Sequence, residues 1–179
     1  MQIPLYQIDA FADGPFTGNP AAVCPLDAWL PDDLMQAIAA ENNLSETAFF
    51  VAEGGGYRLR WFTPTTEVDL CGHATLASAY VVFRWLRPEC RHIIFQTNEA
   101  GPLTVARDGD LLALDFPSRP PEPCAMSEQL VAALGRRPAA LLAARQLSRR
   151  GGALTCALNG ARVTIAGRAL PYLEGTITV

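Results

Sequence analysis

The pattern of apolar and polar residues predicts a chain built mostly from short strands. Strand patterns run through Ile3–Phe11, Ala21–Leu26, Thr47–Val51 and Tyr57–Phe62, and turn residues separate them. A helix is predicted between the second and third of these strands, where two acidic residues follow Pro31 and apolar residues recur at helical spacing. The chain therefore mixes strands and helices.

A second predicted helix, Leu76–Leu86, is apolar on nearly every side, with Ser78 and Arg84 as its polar residues. A helix of this kind has to be buried on every side. The strands before and after it can bury it only by wrapping around it. We therefore predict an α+β fold in which a sheet curls around this central helix.

Two later segments, residues 101–114 and 152–165, repeat one another. Five of their fourteen aligned positions are identical, and the turns Asp108-Gly109 and Asn159-Gly160 coincide. Asp-Gly and Asn-Gly between alternating residues are typical of tight β-hairpins. A duplication, and with it two related lobes, is favoured over chance similarity.

Composition excludes several classes of protein. The 179 residues are 50% hydrophobic and carry a net charge of −4, which suits a folded domain and argues against a nucleic-acid binder. The sequence has no apolar run long enough to span a membrane and no evident signal peptide. Its five cysteines are scattered without a CxxC pair. We therefore expect free thiols and a cytoplasmic protein without nucleic-acid or membrane partners.

Charge is distributed unevenly along the chain. Residues 1–128 hold 7 arginines and 17 acidic residues, whereas residues 129–179 hold 7 arginines and a single acidic residue, Glu174. Such a basic segment could bind an anionic partner or lie against the acidic part of the chain. Because its arginines are interleaved with a strand pattern rather than clustered, we favour the second interpretation.

Glu46 is the first candidate for chemistry. It lies in a predicted loop just before the apolar run Ala48-Phe49-Phe50. Burial beside apolar residues would raise the pKa of its carboxyl and suit a general acid or base near neutrality. The alternative is an ordinary solvated glutamate, and position alone favours that alternative.

The second candidate is the segment Cys71-Gly72-His73 at a predicted strand-to-helix junction. The free N–H groups at a helix N-terminus bind carboxylates and phosphates well, and Gly72 lets a ligand approach closely. His73 could donate a hydrogen bond or transfer a proton. A helix cap with a buried cysteine is an equally good interpretation. With two histidines and no paired carboxylates, no bound metal is expected.

Five motifs, in this order and spacing, resemble the PhzF-like family of phenazine-biosynthesis isomerases. The motifs are Asp9-Ala-Phe11, Phe16-Thr-Gly18-Asn19-Pro20-Ala-Ala-Val23, Asn43-Leu-Ser-Glu46-Thr-Ala48, Phe62-Thr-Pro64 and Leu70-Cys-Gly-His73-Ala-Thr75. The resemblance implies the diaminopimelate-epimerase-like fold, with two pseudo-symmetric lobes, each a β-barrel around a helix, and the site in the cleft between them. It covers residues 1–142 and resumes near Ala144.

The resemblance also implies roles. Glu46 matches the family's acid/base glutamate, which moves a proton between two carbons of a small cyclic or unsaturated carboxylic acid without a cofactor. Ser45, Gly72 and His73 match positions that hold the substrate carboxylate. Cys71 occupies the place of one catalytic thiol of the related epimerases, so thiol-based epimerisation is a further hypothesis.

Family members are longer, and this sequence lacks the Asp-Pro-x-Thr-Gly-Ser-Ala-His-type segment of the second lobe. We therefore expect a complete barrel lobe over residues 1–117, a linker over 118–124 and a shortened remnant of the second lobe over 125–179. The alternative to an active isomerase is an inactive truncated paralogue that acts as a binding or dimerisation module. Exposed sheet edges left by an incomplete second barrel favour a homodimer.

Overall fold

The computed structural model describes residues 1–119 and 141–179. Within them it holds one sheet of twelve strands and two α-helices. The strands are β1 (Gln2–Ala10), β2 (Asn19–Leu26), β3 (Thr47–Glu53), β4 (Gly56–Phe62), β5 (Glu67–Val68), β6 (His92–Gln96), β7 (Leu103–Asp108), β8 (Leu111–Pro117), β9 (Leu141–Arg145), β10 (Ala153–Asn159), β11 (Arg162–Gly167) and β12 (Ala169–Thr178). The helices are α1 (Asp32–Asn42) and α2 (Gly72–Val81).

The sheet curls around α2, as the sequence predicts. Its strand order is β12-β1-β2-β3-β4-β6-β7-β8-β11-β10-β9, with β5 added beside β4. Helix α2 contacts strands from both ends of this order, among them β1, β2, β8 and β12. The apolar residues on all its sides are consequently buried in the main core, where Leu76, Ala77, Ala79 and Val81 are fully enclosed.

Helix α1 covers the outer face of the same sheet. Met35, Ile38 and Ala39 point inward and pack in a second core with residues of β1, β2, β3 and β4. The helix ends at Asn43, which adopts the left-handed conformation and donates its N–H to the Ala39 carbonyl. The molecule therefore has three layers: α1 outside, the sheet, and α2 inside.

The predicted helix Leu76–Leu86 differs from the observed one at both ends. Helix α2 begins at Gly72, and after Val81 the chain continues as a π-helical segment over Val82–Leu86. This start places Gly72 and His73 in the first turn of the helix, as the predicted strand-to-helix junction at Cys71-Gly72-His73 requires. In this turn, backbone N–H groups lack a carbonyl one turn earlier.

The repeated segments form two equivalent hairpins. Strands β7 and β8 pair with Thr104 opposite Asp115, and β10 and β11 pair with Thr155 opposite Ala166, which are the matching positions of the repeat. The hairpins join through β8 and β11, with Leu114 opposite Ile165. Because these two residues are themselves equivalent, a local pseudo-two-fold axis passes through the pair.

The sheet contains strands from both predicted lobes. Strand β12 follows β11 directly and pairs with β1 along its whole length, from Gln2 opposite Thr178 to Ala10 opposite Ala169. The lobe boundaries therefore stay a prediction, and residues 120–124 of the linker lie outside the described residues. No helix in the described ranges is long and apolar enough to cross a membrane.

The basic segment lies partly against the acidic one. Arg162 forms an ion pair with Asp115 on the neighbouring strand, with 3.0 Å between Nε and Oδ1. Arg150 reaches the buried carboxylate of Asp9, with 2.8 Å between Nη2 and Oδ1. These contacts agree with the favoured interpretation, in which the basic segment lies against the acidic part of the chain.

Candidate active site

The first element of the site is the loop that carries Glu46 into β3. Strand β3 runs parallel to β2, and the N–H of Ala22 donates to the Glu46 carbonyl at 3.2 Å. Thr47, which is fully buried, accepts a hydrogen bond from the Asn42 side chain at 3.1 Å. The backbone on either side of Glu46 is thereby held between the end of α1 and the sheet.

The second element is the N-terminus of α2. Cys71 is extended and its carbonyl accepts hydrogen bonds from the N–H and hydroxyl of Thr75. Among the described residues, no acceptor satisfies the N–H groups of Gly72, His73 and Ala74. These groups and the positive end of the helix dipole therefore face the site.

Packing leaves little room for a side chain at Gly72. A Cβ at this position would lie 3.2 Å from Cε2 of Phe116 in β8, which is tighter than ordinary carbon–carbon contact. Phe116 is buried and forms the wall behind the first turn of α2. Nothing in the sequence singles out Phe116, because an apolar residue in a strand pattern is usually core.

The structure brings Glu46, His73 and Cys71 together. Oε2 of Glu46 lies 2.9 Å from Nε2 of His73, and Sγ of Cys71 lies 3.5 Å from Nδ1 of the same ring. The Glu46 and His73 side chains are each less than a fifth exposed. Their facing atoms are close enough for an ion pair, yet among the described residues neither has a well-aligned hydrogen-bond partner. Both atoms are buried and face one another.

Electrostatics make this an ion pair at neutral pH. Contact with His73 holds the pKa of Glu46 below its ordinary value, although burial opposes the shift. Burial acts to lower the pKa of His73, but contacts with Cys71 and Glu46 outweigh it and raise that pKa to about 10. The pKa of Glu46 is therefore lowered and not raised, since sequence position could not show a cation beside the carboxylate. The solvated glutamate that position alone favours is not found either, because the side chain is mostly buried.

Three potential metal ligands also meet here, because one atom each from Glu46, Cys71 and His73 lies within 4.8 Å of the others. The carboxylate and the thiol contact opposite nitrogens of the imidazole. The three side chains thus form a chain of contacts through the imidazole. The expectation of no metal stays a prediction.

Ser45 and the surrounding surface complete the site. Ser45 is exposed beside Glu46, so its hydroxyl is accessible to a ligand. Asp69 forms an ion pair with Arg119, with 2.8 Å between Oδ2 and Nη2. A cavity of about 490 Å³ is lined by Asp69 and Trp61 but not by Glu46 or His73. The cavity and the candidate site are therefore separate, and the described residues form one side of that site.

Comparison with known proteins assigns the chain to a family. Residues 8–136 match the family described as PhzC-PhzF, phenazine biosynthesis-like protein. The chain belongs to the PhzC-PhzF family. It is 59% identical over 142 residues to an uncharacterized isomerase of Pseudomonas aeruginosa, a match that covers 79% of this chain and 54% of the relative. A human phenazine biosynthesis-like domain-containing protein is 45% identical over 131 residues, which cover 69% of this chain and 45% of that protein.

Solved structures of the PhzC-PhzF family have the same fold. A PhzF-family protein from Enterococcus faecalis superposes with a TM-score of 0.87 at 32% identity, covering the whole of both chains. A predicted epimerase of Pseudomonas aeruginosa has a TM-score of 0.76 at 15% identity over 99% of each chain, which shows the fold alone. The chain spans about half the length of the curated relatives it matches.

Proposed function

We propose that this PhzC-PhzF chain carries the acid/base half of an isomerase site, in which Glu46 moves a proton on a small cyclic or unsaturated carboxylic acid. The observation that carries the proposal is the contact between Glu46 and His73, 2.9 Å apart at the open N-terminus of α2. Isomerase names among the relatives agree with this class of reaction.

The proposed reaction needs no cofactor. The substrate carboxylate binds the free N–H groups of Gly72 and His73, where the helix dipole and the imidazolium favour negative charge. Glu46, ionised because its pKa is lowered, takes a proton from a substrate carbon. The electron pair left behind spreads through the conjugated system into the carboxylate. The protonated Glu46 then returns the same proton to a different carbon.

His73 has two tasks in this scheme. Its charge makes Glu46 a weaker base at rest, and it stabilises the anionic intermediate once the substrate is bound. Cys71 contacts the other ring nitrogen at 3.5 Å and thereby orients the imidazole. Ser45, exposed next to Glu46, is placed to donate a hydrogen bond to the substrate. Thiol-based epimerisation receives no support from the described residues, which bring a single cysteine to the site.

The test is proton exchange on a panel of cyclohexadiene carboxylates in deuterated water, followed by NMR. We expect the native chain to isomerise or exchange at least one compound, and Glu46→Gln to lose 10²-fold or more of that rate, about what removal of a general base costs. Glu41→Gln, an exposed glutamate at the end of α1, is the matched control. Undiminished exchange in Glu46→Gln would overturn the role.

A second candidate function is a binding or dimerisation module without turnover. Several large apolar side chains are exposed on or beside β9 and β10, among them Leu142, Leu147 and Leu158. Strand β9 is an edge within the described part of the sheet, and such edges favour pairing with another chain. This candidate predicts a homodimer that binds small carboxylic acids but exchanges no protons. A monomer by light scattering at all concentrations would count against it.

The proposal includes a location in the reducing cytoplasm. Cys24, Cys71, Cys90 and Cys156 are all free thiols in the described residues, as expected where disulfides do not persist.

A further inference from the structure

A second cleft lies at the opposite end of α2 from Glu46 and His73. It has a volume of about 530 Å³ and is bounded by the end of the central helix, the β7–β8 turn and the bend between β11 and β12. The helix rise places it roughly 15 Å from His73. Its size is within the range of clefts that bind small molecules.

The cleft is strongly basic. Arg84, Arg107 and Arg168 line it, against a single acidic residue, Asp110. Within the described ranges, none of these three arginines forms an ion pair, whereas six other arginines do. Arg107 makes one long hydrogen bond, from Nε to the Gly109 carbonyl at 3.4 Å. Three guanidinium groups are thus available to a ligand.

Tyr80 lines the same cleft as the arginines. Burial raises the pKa of Tyr80, while Arg84 and Arg107 act to lower it and Asp110 to raise it. All three charged groups are therefore close enough to act on the same phenol at the cleft. The walls between them are apolar and include Phe83, Leu112 and Leu170.

Arginines at the end of a helix also have a structural use, because they offset the negative end of its dipole. Arg84, in the last turn of the π-helical segment, serves that purpose. Arg107 and Arg168 do not, since they lie on β7 and at the β11–β12 bend. Two of the three guanidinium groups consequently need another explanation.

We propose that this cleft binds a small phosphorylated molecule with an apolar or aromatic body. Arginine pairs with phosphoryl oxygens through two parallel hydrogen bonds, and three arginines line this one cleft. The apolar walls would contact the remainder of the ligand. The proposal is independent of the isomerase site, because it uses none of the residues at the N-terminus of α2.

The experiment is calorimetric titration of the full chain with phenyl phosphate, inorganic phosphate and phenol at constant ionic strength. We expect saturable binding of phenyl phosphate, weaker binding of inorganic phosphate and none of phenol. Arg107→Gln and Arg168→Gln should each weaken phenyl phosphate binding about tenfold, since a charged hydrogen bond contributes roughly that much. Arg107→Lys, which keeps the charge but not the paired geometry, should lose less.

The matched control is Arg149→Gln, because Arg149 is exposed, lacks an ion pair within the described residues and does not line the cleft. Amide shifts in two-dimensional NMR locate the ligand even if a variant is unstable. Shifts at residues 84, 107 and 168 would support the cleft. An absence of saturable binding, shifts elsewhere, or an equal loss of affinity in Arg149→Gln would overturn the proposal.

Discussion

At the scale of single residues, His73 determines the charge balance of the candidate site. The ring lies between the Glu46 carboxylate and the Cys71 thiol, and contacts with both raise the pKa of His73 to about 10. At neutral pH the resting site is therefore an ion pair with no net charge. A substrate carboxylate that binds there meets an imidazolium already formed, so no proton has to be taken from solvent.

The imidazole of His73 should titrate near pH 10 in NMR spectra of the labelled protein. In Glu46→Gln the midpoint should fall, because one of the two contacts that raise this pKa is gone while burial still lowers it. Glu41→Gln leaves the contact intact and should leave the midpoint unchanged. A midpoint near 6.5 in the native protein would contradict the ion pair.

The same pair makes stability depend on pH with a definite sign. Because the pKa of His73 is raised above 6.5, its contribution to the free energy of unfolding is complete below that pH and is lost as pH rises towards 10. Because the pKa of Glu46 is lowered from 4.5, its contribution is complete above 4.5 and is lost at lower pH. The difference in urea midpoint between native and Glu46→Gln protein should therefore be largest between these limits.

At this scale the sequence predicts the site residues but not their contact. Glu46 and Cys71-Gly72-His73 are visible as a polar loop and a helix start. They meet because β3 pairs in parallel with β2 while α2 lies inside the curled sheet. That juxtaposition depends on long-range pairing, which local patterns do not contain.

At the scale of elements, α2 is the support on which the site depends. Its buried hydroxyls are satisfied within the helix itself, as Ser78 donates to the Ala74 carbonyl at 2.8 Å. Its remaining sides are apolar and enclosed by the sheet. The position of Gly72 and His73 is therefore fixed by packing along the rest of the helix.

Leu76→Ala should lower the free energy of unfolding by about 2–5 kcal/mol, since it removes a fully buried side chain and leaves a cavity. Leu86→Ala should cost far less, because Leu86 lies at the end of the same helical stretch and is 42% exposed. Urea unfolding followed by circular dichroism measures both. Equal losses would show that the end of the helix is as well packed as its centre.

The sequence predicts this element because its residues form a long, nearly uninterrupted apolar run, but it misses the π-helical end. A shift from α-helical to π-helical hydrogen bonding adds one residue to a turn and leaves hydrophobic composition unchanged. No residue in Val82–Leu86 is a glycine or proline that would indicate it.

At the scale of the whole molecule, Asp9 and Arg150 connect distant parts of the chain. The Asp9 side chain is 4% exposed and that of Arg150 is 40% exposed. Arg150 also donates from Nε to the Gly18 carbonyl at 3.0 Å, so one side chain fastens the β9–β10 loop to the β1–β2 loop. An aspartate within a strand pattern indicates a carboxylate that needs a partner, but local sequence does not identify Arg150, which lies 141 positions later.

Arg150→Gln should lower the free energy of unfolding by about 1.5 kcal/mol at pH 7, the usual size for loss of a charged hydrogen bond. Burial already raises the pKa of Asp9, and Arg150 opposes that rise. Without Arg150 the pKa of Asp9 rises further. Ionisation of this carboxyl then opposes folding more strongly, so the variant loses more stability than the native protein as the pH is raised from 4 to 7. The loss should thus be smaller at pH 4 than at pH 7. Arg149→Gln serves as control, and a loss independent of pH would contradict the mechanism.

The pairing of β12 with β1 has a consequence for how the protein is made. Strand β1 leaves the ribosome before β12, and this neighbour, residues 169–178, follows more than 150 residues later. Contacts between such distant segments slow folding. Until they form, β1 presents an unpaired edge. The nascent chain therefore has to avoid intermolecular pairing while the residues between β1 and β12 are synthesised, and chaperones that cover strand edges should associate with it longer than with domains completed by local contacts.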